Sequence, residues 1–247
     1  MARIGLVAAL LAGATLLAGS SQARIGTEAA PLGVLFVGSS GMRSNDMPAK
    51  VAQFAAVSGR ELKYRAVLYA GFNLEDHWNL GAARAALATG DWDVVVMQDF
   101  PPYLPEDREH TRIWAVRWAD LAREAGARPA LLTVWPDLER RSAMPDMVAS
   151  QRLAAQAAGA QLLPVAEAWQ AAWRCGLHPS LYGRDGVHAS PLGTYEAALV
   201  VYGALYGAPV RSRRLYPVGE KPRTSRLLQA AAATALGRWL PPSGRCG

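Results

Sequence analysis

Gly33-Val34-Leu35-Phe36-Val37-Gly38-Ser39-Ser40-Gly41 decides how the rest of the chain is read. Val34 to Val37 form an unbroken apolar run, the pattern of a parallel strand buried on both faces. Gly38 lets the backbone turn sharply where that strand leaves the sheet. Ser39 and Ser40 follow at once, so hydroxyls sit at the carboxyl end of a buried strand, where open α/β sheets place their ligands. Far downstream, Asp185-Gly186-Val187-His188 sets a carboxylate and an imidazole three residues apart in a glycine-rich loop. A serine hydroxyl is a poor nucleophile until a base takes its proton, and a histidine needs a partner to fix its tautomer. Ser39 or Ser40 is the candidate nucleophile, with His188 the base and Asp185 the orienting carboxylate.

Outward from the first strand, strand and helix patterns alternate. Asn45, Ser44 or Asp46 can cap a helix with Pro48 in its first turn, and Val51, Phe54 and Ala55 share one face of it. Leu62 to Leu68 reads as a second strand. Asn73 to Trp78 reads as a polar-aromatic loop, with an alanine-rich helix beyond it to about Ala88. Asp93 to Met97 is a third strand, and Asp99 to Tyr103 a rigid loop at its carboxyl end. A helix over Thr111–Ala125, a strand over Ala130–Val134, a helix over Ser142–Ala158 and a strand over Gln161–Val165 follow. Ala166–Trp173 is a short helix or turn, Pro191–Tyr206 is a helix, and Thr224–Leu240 is one more amphipathic helix on the outside. This alternation implies an α/β protein with a parallel sheet and right-handed crossovers. No internal repeat or linker divides it.

Composition bounds the function. The 247 residues suit one α/β domain, 51% are hydrophobic, and the net charge is +6. Basic residues are scattered apart from Arg211, Arg213 and Arg214, with no basic run interleaved with aromatics, so a nucleic-acid partner is not expected. Arg3, the apolar stretch Ile4–Ala18 and the small-x-small Ser21-Gln22-Ala23 predict a signal peptide over residues 1–23 and a single domain over 24–247. The stretch is short and rich in alanine and glycine, and no later segment resembles a membrane span, so stable membrane insertion after cleavage is not expected. Ser20 stands where a lipoprotein would need cysteine. Export places Cys175 and Cys246 in oxidising surroundings; one bridge or two thiols are both open. No phosphate loop, dinucleotide fingerprint or metal-ligand cluster occurs, so no cofactor or metal is expected. The sequence is silent on oligomeric state.

The two serine and histidine segments carry a resemblance. Gly38-Ser39-Ser40 fits the Gly-Asp/Asn-Ser block of SGNH (GDSL-type) hydrolases, and Asp185 to His188 fits their Asp-x-x-His block. Gly71 is similar to the glycine after the second strand. Val96-Met97-Gln98-Asp99 stands where those proteins have Gly-x-Asn-Asp. The resemblance spans roughly residues 33–207 and departs at Ser39, Gly41, Val96 and Gln98. It implies a three-layer α/β sandwich with a mostly parallel, flavodoxin-like five-stranded sheet. It implies a serine esterase acting through an acyl-enzyme, which the expected signal peptide would make secreted or periplasmic. Ser40, preferred to Ser39 only by this resemblance, is then catalytic with Asp185 and His188, and Ser40 N–H, Gly71 N–H and the Gln98 amide form the oxyanion hole. His77, Asp99 and Trp135, near strand ends, are the candidate substrate-binding residues. Small O-acyl groups on carbohydrate are the preferred substrate class. A lipid esterase, an acyltransferase with the same triad, and a non-catalytic glycan-binding protein on this fold are the alternatives.

Overall fold

The computed structural model describes residues 30–177, 181–217 and 219–237. Five strands, β1 (Leu32–Gly38), β2 (Leu62–Leu68), β3 (Val94–Met97), β4 (Arg128–Leu132) and β5 (Gln161–Leu163), form one sheet. The order is β2-β1-β3-β4-β5 and every pairing is parallel. The α/β three-layer reading therefore holds, with a flavodoxin-like strand order. In β1, Val34 and Phe36 pack into one hydrophobic cluster while Leu35 and Val37 pack into the other. Alternating side chains enter opposite layers, and this is why the run has no polar position. β3 does the same with Val94 and Val96 against Val95 and Met97.

The chain leaves β1 to one side to form β2, then crosses back to form β3 on the other side. The carboxyl ends of β1 and β3 thus diverge at a switch point, and a crevice opens between them. Gly38 to Ser40 and Gln98 sit there.

Several element boundaries differ from expectation. Residues 73–78 are not a loop: Leu74–Leu80 is a helix. Asn73 Oδ1 accepts from Asp76 N at 2.8 Å and Asp76 Oδ2 from Asn73 N at 3.0 Å, a reciprocal capping box. The helix expected at Thr111 starts at Pro105, with Asp107 accepting from Leu104 N at 2.9 Å. Pro105 has no N–H to lose in the first turn. The helix expected from Ser142 is Met144–Ala157, preceded by a 3-10 segment over Leu138–Ala143. Asp46 is the residue that caps the Met47–Val57 helix, accepting from Ala49 N at 3.2 Å. The last helix among the described residues is Pro222–Ala235; Leu240, like the expected signal segment and Cys246, lies outside them. Cys175 is in a disulfide. No helix among the described residues is long and apolar enough to cross a membrane.

Candidate active site

β1 delivers Gly38 and Ser39 to the switch point, and a four-residue helix over Ser40–Arg43 begins at once. Gly38 leaves room where side chains crowd the turn. A Cβ there would meet Met42 Cε at 2.5 Å and Gln98 Cβ at 3.0 Å. The Asp185–His188 loop closes over this turn from the far end of the sequence. His188 Nε2 lies 2.9 Å from Ser40 Oγ, and His188 Nδ1 lies 2.6 Å from Asp185 Oδ2. Ser40, His188 and Asp185 therefore form a continuous hydrogen-bonded chain. Asp185 Oδ1 also accepts from Val187 N and His188 N, each at 3.0 Å. The His188 ring and these two amides hold the Asp185 carboxyl down to about 2, well below the usual carboxylate range. Gly186, at φ +68, makes the tight loop possible.

Ser39 is not the residue at the histidine. Its hydroxyl meets Gln98 Oε1 at 3.2 Å and Gln98 Nε2 at 3.1 Å, away from the imidazole. Gln98 in turn departs from its expected part as an oxyanion donor. Its Oε1 accepts from Ser39 N at 3.0 Å, and its Nε2 donates to Ser39 Oγ and to the Asp99 carbonyl. Ser39 N–H demands an acceptor and Asp99 O demands a donor, so the orientation of the amide is set and both its protons are used. The longer stem of glutamine folds the amide back beneath the Gly38–Ser40 turn.

Two expected substrate contacts are structural. His77 is buried in the Leu74–Leu80 helix, where Nε2 bonds the Gly38 carbonyl at 2.8 Å. Tyr69 stacks on it at 5.6 Å, and desolvation lowers its pKa. Asp99 is also buried. It accepts from Leu74 N at 3.1 Å and Thr111 Oγ1 at 2.8 Å, tying two helices to the end of β3. Neither side chain faces the cleft. Trp135 does line it, with Ser40, Gly41, Met42, Met47 and His188. Gly71 turns the loop after β2 at φ +76 and is not part of the cleft wall.

The cleft beside Ser40 is small, about 70 Å³. A roomier groove of about 320 Å³, with Lys50 and Arg214 in its wall, contains none of Ser40, Asp185 and His188. Chemistry rather than size identifies the site. Among the described residues no group of three His, Cys, Asp or Glu is placed to hold a metal ion.

One residue at the site escaped sequence reading. Asn45, weighed only as a helix cap, donates to Ala189 O and to Thr194 Oγ1, both at 2.9 Å. It adopts φ +52, a conformation asparagine tolerates better than most residues. No local pattern announces a bond that spans nearly 150 residues.

No family model and no curated protein matches the chain. Solved structures do. A candidate SGNH hydrolase from Slackia heliotrinireducens is 29% identical at a TM-score of 0.63, over 71% of this chain and all of that one. A DUF4886 family protein from Bacteroides uniformis is 18% identical at a TM-score of 0.72, over 84% of this chain and 95% of that one. The acetyl xylan esterase AlAXEase is 13% identical at a TM-score of 0.59, over 70% of this chain and all of that one. The structural neighbours are thus SGNH hydrolases, and this chain has their fold.

Proposed function

We propose that this chain, built on the SGNH-hydrolase fold, is a serine esterase that removes small acyl groups through an acyl-enzyme. The observation that carries the reading is the chain from Ser40 Oγ to His188 Nε2 at 2.9 Å and from His188 Nδ1 to Asp185 at 2.6 Å. Ser40 Oγ attacks the ester carbonyl while His188 Nε2 takes its proton. The C–O bond to the alcohol breaks, and His188 returns that proton to the leaving oxygen. Water then attacks the acyl carbonyl, His188 takes the water's proton, and the carboxylic acid leaves as Ser40 recovers its hydrogen. Asp185 holds the imidazole tautomer and stabilises the imidazolium. Ser40 N–H and Gly41 N–H open the short helix beside the cleft and make no hydrogen bond to another described residue. These two amides make the oxyanion hole, and Gly71, outside the cleft wall, is not one of its donors.

The size of the cleft supports a substrate with a small acyl group. About 70 Å³, walled by Met42, Met47 and Trp135, suits an acyl group of two or three carbons. The alcohol portion then stays outside, which suits a bulky alcohol such as a carbohydrate. Export by the segment 1–23, to the periplasm or beyond, belongs to the same reading. A disulfide at Cys175 is in keeping with an oxidising compartment.

The test is hydrolysis of aryl esters. Ser40→Ala and His188→Ala each lower kcat on an aryl acetate by several orders of magnitude, and combining them adds little, because the two act as a unit. Asp185→Asn is damaging to a smaller degree. Aryl acetate outpaces aryl octanoate by roughly 10-fold or more in kcat/KM. Full activity in Ser40→Ala overturns the reading.

A further inference from the structure

Asp185 and His188 are open to solvent for a working pair: their side chains are 52% and 39% exposed. Side-chain packing therefore does little to fix the loop. Hydrogen bonds to its backbone do that work instead. Gly186 O accepts from Leu138 N at 2.8 Å, and His188 O accepts from Gly183 N at 2.7 Å. Val187 O accepts from Trp135 Nε1 at 3.0 Å, and Ala189 O from Asn45 Nδ2 at 2.9 Å. Four consecutive carbonyls are each held by a different donor.

The two side-chain donors approach from different segments. Trp135 follows β4, and its ring is fixed by stacking on Trp169 at 4.1 Å and 10°. The same segment is held again where Tyr182 Oη donates to Pro136 O at 2.8 Å. Asn45 lies five residues beyond Ser40, in the 3-10 turn that follows the nucleophile helix. Its second amide proton goes to Thr194 Oγ1 on the Pro191–Tyr206 helix. The bond from His188 to Asp185 is local, so the loop can make it unaided. The bond from His188 to Ser40 spans 148 residues and depends on how the loop is docked.

We infer that Asn45 and Trp135 are positioning residues, whose side-chain N–H groups grip the carbonyls on either side of His188 and hold its imidazole against Ser40. The kinetic part of this inference rests on the esterase reading above. Trp135 is then more than a wall of the cleft, and Asn45 joins the nucleophile's segment to that of the base.

Trp135→Phe keeps an aromatic ring and removes the donor. Asn45→Gly keeps the left-handed backbone accessible and removes the amide. Each variant is expected to lower kcat on an aryl acetate by about 10- to 100-fold with KM changed little, because small displacements of a reacting group cost rate rather than binding. The rate at which a fluorophosphonate probe labels Ser40 falls by a similar factor, and the unfolding midpoint moves little. Labelling needs no ester turnover, so it decides the inference even if the wild-type protein hydrolyses no ester and the esterase reading falls. Wild-type labelling and kcat in both variants overturn the inference. So does a raised KM at unchanged kcat in Trp135→Phe, which makes the ring a substrate wall only. A wild-type protein that neither hydrolyses the ester nor takes the probe overturns both.

Discussion

Gln98 places its amide under the Gly38–Ser40 turn, with Oε1 on Ser39 N–H and Nε2 shared between Ser39 Oγ and the Asp99 carbonyl. Its contribution is to the shape of the turn that presents Ser40. Gln98→Ala leaves the buried Ser39 N–H without an acceptor, which costs about 1–3 kcal/mol. Gln98→Glu keeps that acceptor but turns a second oxygen toward the Asp99 carbonyl, so it is expected to be at least as destabilising at neutral pH. Urea unfolding of both variants checks this. Both should also label more slowly with a fluorophosphonate. A stable Gln98→Ala protein with a large and isolated fall in kcat would instead restore the amide as an oxyanion donor.

At the scale of elements, the end of β3 gathers the helices beside the site. Asp99 receives Leu74 N–H and the Thr111 hydroxyl, and Trp118 Nε1 donates to Leu74 O at 2.9 Å. His110, on the Pro105–Glu124 helix, adds a charge-dependent link. Its Nδ1 stands 3.5 Å from Asp99 Oδ2, an ion-pair distance rather than a good hydrogen bond, and its Nε2 lies 3.1 Å from Glu75 Oε2. Asp99 first, against a smaller opposing cost of burial, and then Glu75 raise its pKa above 6.5. A raised folded pKa means the link stabilises fully below the unfolded value of about 6.5 and is lost as pH rises through the folded value. The gain is of order 1 kcal/mol or less for so accessible a group. His110→Gln is therefore expected to be less stable than wild type at about pH 5.5, with the gap closing toward about pH 8.5. Equal stability of the two at the lower pH removes this link.

Over the whole molecule, the Pro191–Tyr206 helix is the meeting point of three others, and it carries Glu196 at its centre. Glu196 is fully buried, and among the described residues neither carboxylate oxygen has a hydrogen-bond partner. Desolvation pushes its pKa well above the ordinary value, so the folded protein keeps this proton where the unfolded chain gives it up. Stability should then fall as pH rises above about 4.3, by up to about 1.4 kcal/mol per pH unit, until the folded group ionises. Glu196→Gln is nearly isosteric and has no such proton, so its stability profile loses this slope. Urea unfolding of both proteins between about pH 5 and about pH 8 measures it. Parallel profiles would remove Glu196 from the account.

The sequence by itself determined the sheet and brought Asp185 and His188 forward, while the bond that singles out Ser40 over Ser39 is a tertiary one. Continuous apolar runs such as Val34–Val37 can only be buried on both faces, and Asp185 and His188 are close enough in the chain for one loop to orient them. It also held the capping box at Asn73 and Asp76, a local signal open to reading. Tertiary structure alone decided where the long-range bonds fell. Gln98 and His77 carry the same groups in any fold, yet packing turned one under Ser39 and the other beneath the Gly38 carbonyl. Asn45 and Trp135 reach the histidine loop across 144 and 52 residues. Periodicity reports which face of an element is buried, while the partner of a polar side chain depends on how distant elements dock, which no local pattern encodes.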